Sequence, residues 1–221
     1  MKNHHFFSLR HNARVSDNPP QHTSRPRAVS AAVWAAVSLG LAVPAGAATV
    51  TINTPTTSTL LLNSGNALDV TATGRIEPVS GVAVANASNG VTLDGISNAG
   101  LIGSADSDAI ALGANVTVNG DIRNSGTVKA ASDGLFIDSQ SVVTGSIINE
   151  ASGIINGGQV NPQDGIELQD SSTVNADIIN HGTINAAVDG IQLSWNSRVE
   201  GDIVNNGTID VGQDGIDLTA G

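Results

Sequence analysis

The sequence predicts an all-β protein, a right-handed parallel β-helix with coils of about 25 residues and three short strands to the coil. Three observations lead there. The motif Asp-Gly-(Ile/Leu)-x-(Leu/Ile) returns at Asp133, Asp164, Asp189 and Asp214, with Asp108-Ala109-Ile110-Ala111-Leu112 as an earlier variant, at spacings of 25, 31, 25 and 25 residues. A fixed period of this length marks a repeat architecture. Within each repeat, apolar and polar residues alternate, as in strands with one buried face. The composition is 2% aromatic, with 25 Gly and no Cys, so Ile, Val, Leu, Ala and Gly must build a thin core of identical layers. The missing Cys excludes disulfides and thiolate metal sites.

Residues 1–47 read as an export signal with an extended amino-terminal region. Arg25 and Arg27 precede an apolar run from Ala28 to Leu41, and Ala45-Gly46-Ala47 offers small residues for cleavage between Ala47 and Ala48. The run is shorter than the roughly 20 apolar residues that span a bilayer, which favours a cleaved Sec signal over an anchor. Residues 48–90 carry only echoes of the repeat, such as Gly74-Arg75-Ile76, and are expected to form degenerate capping coils.

From 91 to 221 the repeat is regular. Its first run, Val-x-(Gly/Ala)-x-Ile-x-Asn, places Val143, Gly145, Ile147 and Asn149 on one face, with counterparts in every coil. The Gly and Ala positions imply a narrow side of the core. The second run turns Val128, Ile155, Ile184 and Ile209 inward, and the third buries Leu135 with Ile137, Ile166 with Leu168, Ile191 with Leu193, and Ile216 with Leu218. Six extra residues in the 31-residue interval fall between Asn149 and Gly153 and between Ile155 and Asp164, at turns where insertion costs little. Right-handedness follows from the general rule for parallel crossovers. The sequence stops at Gly221 directly after a third-run motif, which raises the expectation that the repeat array is incomplete.

Asn180-His181-Gly182-Thr183-Ile184 with Asp189-Gly190-Ile191, and Asn205-Asn206-Gly207-Thr208-Ile209 with Asp214-Gly215-Ile216, resemble repeats of the passenger regions of bacterial type V autotransporters. The resemblance covers roughly Val91 to Leu218 plus the signal. It implies a passenger at the outer-membrane surface or outside the cell, serving adhesion or host contact after passage through an outer-membrane translocator barrel. This sequence shows no such barrel, whose strands would alternate over about ten residues with aromatic girdles.

The chemistry-bearing residues point to a scaffold more than to a catalyst. The Asp row suggests either stacked carboxylates for a hard cation or, as preferred, turn caps in which the carboxylate accepts backbone N–H groups and Gly takes a positive φ. Asn98, Asn124, Asn149, Asn180 and Asn205 are expected to stack as an internal amide ladder. Glu167 and Asp217 share one outward position two coils apart, about 9.6 Å by coil spacing, near the upper limit for an inverting carboxylate pair. They are the best candidates for a rival reading, a polysaccharide-acting enzyme; a third reading is a spacer for a missing domain. No Arg or Lys accompanies them, and His181 stands in a turn with no nucleophile motif. No cofactor, metal ligand or catalytic residue is assigned. Phe136, outward on the third run, and Trp195, on a turn, are the candidate surface contacts. Beyond Ala47, four basic residues face nineteen acidic ones, a net charge of −15, which excludes nucleic acid and leaves surface glycans or proteins as partners.

Overall fold

A computed structural model describes the backbone of residues 41–42 and all of residues 48–158 and 163–218. The chain divides into two compact units, and the one spanning Ala36–Gly221 contains all of these residues. Among the described residues every regular element is a β-strand, and every strand pairing is parallel. The strands form four sheets of eight, seven, five and seven members, each strand pairing with its counterpart one coil away. This is a parallel β-solenoid.

One coil shows why. Thr173–Val174 joins a short corner sheet, Ile178–Asn180 the Asn-bearing sheet, Thr183–Ala186 the Gly-Thr sheet, and Ile191–Leu193 the Asp-Gly sheet. The second and third runs thus form single ladders, whereas the first divides at its small residue into a two-residue and a three-residue strand. Gly145 shows the physical reason. The chain bends there, and a Cβ on Gly145 would lie 2.3 Å from Asp121 Oδ1 and 2.7 Å from the Gly120 carbonyl carbon. The small residue marks a corner pressed against the preceding coil, not a narrow stretch of a straight strand.

The inward residues agree with the alternation except at Ile216 and Leu218, expected to be buried but exposed in the last described coil, where no further described strand covers them. Val118, Ile122, Val128, Leu135 and Ile137 belong to one continuous buried cluster with Val143, Ile147, Ile155, Ile166 and Leu168. Each fully buried Ile or Leu contributes roughly 1.5–3 kcal/mol, and the in-register pairing Ile147 with Ile178 with Ile203 sets like residue on like residue. A void of about 20 Å³ among Ile96, Ile110, Ile122, Ile147 and Ile155 is room for one water.

Residues 48–90, expected as degenerate coils, feed the same sheets. Ala48–Ile52 pairs with Asn66–Val70, which pairs with Gly95–Asn98, and in these two early coils the strand is unbroken for five residues. The insertion between Asn149 and Gly153 lies in a turn, and Ile154–Asn156 still pairs with Thr127–Lys129 on one side and Thr183–Asn185 on the other. Residues 159–162 lie outside the described residues.

Candidate functional site

Four rows of polar side chains among the described residues link coil to coil. The Asn row behaves as expected. Asn98 Nδ2 donates to Asn124 Oδ1 at 2.8 Å, Asn124 to Asn149 at 2.9 Å, Asn149 to Asn180 at 2.8 Å and Asn180 to Asn205 at 2.8 Å. The same amides reach the Gly-Thr strand of the next coil, Asn149 Nδ2 to Thr183 O and Asn180 Nδ2 to Thr208 O, both at 3.1 Å. Buried amides with every group engaged fix register as well as stability. The glycine two residues on is required by contact, since a Cβ on Gly182 would sit 2.2 Å from Gly153 O.

The Asp row also bonds coil to coil. Asp164 N–H donates to Asp133 Oδ1 at 2.9 Å, Asp189 N–H to Asp164 Oδ1 at 2.8 Å and Asp214 N–H to Asp189 Oδ1 at 2.8 Å. The carboxylates cap N–H groups as expected, but the following glycines do not take a positive φ. Their role is steric: a Cβ on Gly165 would lie 2.4 Å from Ile184 Cγ2 and 2.7 Å from Gly190 O.

Beside this row Glu167 is 8% exposed, and Asp133, Asp164 and Glu167 each place a carboxylate oxygen within 4.8 Å of the others. Burial, then the charges of Glu167 and Asp108, push Asp133 well above the usual carboxylate range, against the bond from Asp164 N–H. A hard cation takes six to eight oxygens. Here one oxygen each of Asp133 and Asp164 already serves a backbone N–H, and a proton on Asp133 relieves the same repulsion. The rival enzymatic pair is in register, Glu167 beside Gln192 beside Asp217. Glu167 is nevertheless buried, and Gln192 Nε2 donates to Asp217 at 3.3 Å and to Asp189 at 3.2 Å.

Two further capping rows escaped the sequence reading. Ser146 N–H donates to Asp121 Oδ1 and Asp202 N–H to Asp177 Oδ1, both at 2.8 Å, along the corner before the Asn strand. Ser141, Ser172 and Ser197 accept N–H groups of Val116, Ser141 and Ser172 at 3.1–3.3 Å. Their signal is the same spacing as the Asp motif, with Ser146 interrupting one series and Val116 standing in the other.

The turns after Ile110–Leu112, Leu135–Ile137, Ile166–Leu168 and Ile191–Leu193 each hold two successive residues with positive φ: Ala114 and Asn115, Ser139 and Gln140, Asp170 and Ser171, Trp195 and Asn196. The turns stack through Asn115 N–H to Ser139 O, Gln140 N–H to Asp170 O and Ser171 N–H to Trp195 O, at 2.8–2.9 Å. Left-handed backbone is therefore retained because it keeps the turn within the coil-to-coil ladder.

The two expected surface contacts part company here. Trp195 lies on its turn, 38% exposed, whereas Phe136 is 6% exposed, outside the core cluster yet buried. Phe136 therefore offers no open surface, a correction to the expectation from alternation alone. Of the expected cleavage pair, Ala47 lies outside the described residues and Ala48 opens the strand Ala48–Ile52. Leu41–Ala42, at the end of the apolar run, pairs with Leu60–Leu61, and the rest of that run lies outside the described residues. No helix among the described residues is long and apolar enough to cross a membrane.

The three arginines among the described residues are locally engaged. Arg75 meets Glu77 at 2.7 Å, Arg123 meets Asp121 at 3.0 Å and Glu150 at 2.7 Å, and Arg198 pairs with Glu200. These exposed pairs add little stability, but they leave the surface with few cations to offer an anionic ligand. Comparison with family models, curated proteins and solved structures finds no match to this chain.

Proposed function

We propose that this chain is the β-helical part of an exported protein of autotransporter-passenger type, displayed at the outer-membrane surface or secreted, and that it works as a non-catalytic adhesive scaffold. One observation carries the reading: the repeated Asp and Asn residues are engaged in bonds between coils, so they build the solenoid and leave contact with partners to the turns. Cleavage between Ala47 and Ala48 would leave the strand Ala48–Ile52 intact and remove the short strand Leu41–Ala42 from its place beside Leu60–Leu61. The partners are then surface glycans or proteins, and the translocator barrel is a separate requirement.

The test is fractionation of the native cells with sequencing of the mature amino terminus, followed by binding of the full chain to cells and matrix. A terminus at Ala48 in the outer-membrane or extracellular fraction, with saturable binding, supports the proposal. An uncleaved cytoplasmic chain that binds neither would refute it, and turnover of a polysaccharide would move the assignment to Glu167 and Asp217.

A further inference from the structure

Two unfavourable features meet at one turn. Trp195 occupies the first left-handed position with φ 53°, where a bulky side chain is an outlier. Its row holds Ala114, Ser139 and Asp170 in earlier coils, smaller residues that bear this backbone with less crowding. The residue before it, Ser194, is 9% exposed and keeps a buried hydroxyl without a hydrogen-bond partner. Strain of this kind gathers at ligand-contacting sites, and inference properly runs from the outlier to the role. What the turn obtains is a large flat ring held 38% exposed.

The residues beside Trp195 along its turn and in the adjoining coil are polar. Asp170 stands one coil away, its turn joined to that of Trp195 by the Ser171 N–H to Trp195 O bond at 2.8 Å, so the two backbones lie about 4.8 Å apart. Asn196 follows directly in sequence. Both Asp170 and Asn196 are exposed, and neither side chain bonds within the protein. An apolar ring face beside a carboxylate and a primary amide matches one ligand chemistry. A sugar ring lays its C–H face on the indole, donates hydroxyl protons to the carboxylate and accepts from the amide. The net charge of −15 beyond Ala47 and the locally paired arginines disfavour uronic, sialic and sulfated sugars.

We propose that Trp195, Asp170 and Asn196 form a subsite for a neutral hexose unit of a glycan. The inference rests on the binding-scaffold reading and gives it a ligand class. The chain has two tryptophans, so Trp34→Phe in the full chain leaves Trp195 as the sole indole. Its emission is followed while glucose, galactose, mannose and N-acetylglucosamine oligomers are added, with sialyllactose and a polyuronate as acidic comparators.

The expected result is a saturable change with a neutral oligomer at millimolar concentration or below. Asp170→Asn should weaken it roughly tenfold, the factor that a charge-assisted hydrogen bond commands. Trp195→Asn, tested in the otherwise native chain on immobilised glycan, should abolish binding while raising the thermal midpoint, because asparagine tolerates the left-handed turn. A gain in stability with a loss of binding separates a ligand role from a structural one. The subsite is overturned if no neutral saccharide changes the emission, if acidic glycans bind better, or if Trp195→Asn binds as the wild type does. Cell or matrix binding that survives Trp195→Asn removes the subsite and leaves the scaffold reading standing; binding to nothing removes both.

Discussion

Asn149→Ala asks how much of the register is held by the amide ladder and how much by the apolar layers. Asn149 is 1% exposed. Its Oδ1 accepts from Asn124 at 2.9 Å, and its Nδ2 reaches Asn180 Oδ1 at 2.8 Å, Thr183 O at 3.1 Å and Gly153 O at 3.2 Å. Truncation removes all four bonds. Asn124 retains Ile154 O and Gly126 O as acceptors, but the buried Asn180 loses the donor to its Oδ1. Counting roughly 1 kcal/mol net for each of the two amide–amide bonds and about 1–3 kcal/mol for the buried Asn180 Oδ1 left unsatisfied, the loss comes to about 3–5 kcal/mol. That is a large part of a typical folding free energy of about 5–15 kcal/mol.

Asn205 is the internal comparison. It occupies the same row in the last described coil, is exposed, and accepts from Asn180 at 2.8 Å and from Gly207 N–H at 3.3 Å. Its replacement by alanine should cost about 0.5–1.5 kcal/mol. Urea unfolding of the full chain, followed by far-ultraviolet circular dichroism, measures both variants against the wild type. An Asn149→Ala variant within about 1 kcal/mol of either the wild type or Asn205→Ala would refute the reasoning, since the ladder's value is calculated from burial and bond number.

Three other outcomes follow from the geometry. Gly182→Ala should destabilise by about 2–3 kcal/mol in the same unfolding assay, because the new Cβ meets Gly153 O at 2.2 Å and Glu150 O at 2.4 Å and the coils must part; a neutral effect would show that the spacing is soft. Ala114→Gly should stabilise by about 1 kcal/mol, as φ is 63° there and glycine carries no left-handed penalty; a lower melting temperature would contradict this. Asp133 holds its proton more tightly folded than unfolded, so its contribution is fully present below the ordinary value of 3.8 and is lost as pH rises through the raised folded value. Asp133→Asn keeps an oxygen for the Asp164 N–H, so its advantage over the wild type in thermal melts should grow from acid towards neutral pH; a constant offset would exclude the linkage.

The features legible in the sequence were those that repeat as residue type. Asp164, Asp189 and Asp214 announce a row because one residue type recurs, and Asn124, Asn149 and Asn180 do the same. The left-handed turn pairs have no common chemistry across Ala114, Ser139, Asp170 and Trp195, so only the backbone reveals them. Alternation placed Phe136 and Glu167 correctly on the outward face but could not say that both are buried, since burial depends on what lies over a face. The small residue of the first run was read as a demand of the interior, whereas Gly145 answers to the coil beneath it. Contacts between consecutive coils are local in space and distant in sequence, beyond the reach of a window of neighbours.

The longer coil, in which Ile154–Asn156 keeps its partners on both sides despite six added residues, separates two kinds of genetic change. Duplication of a whole repeat unit extends the stack by one layer and carries every polar row across the join. Small in-frame insertions between strands leave the number of layers and the strand pairing unchanged. A lineage can therefore vary reach and surface independently, with different mutations acting on each.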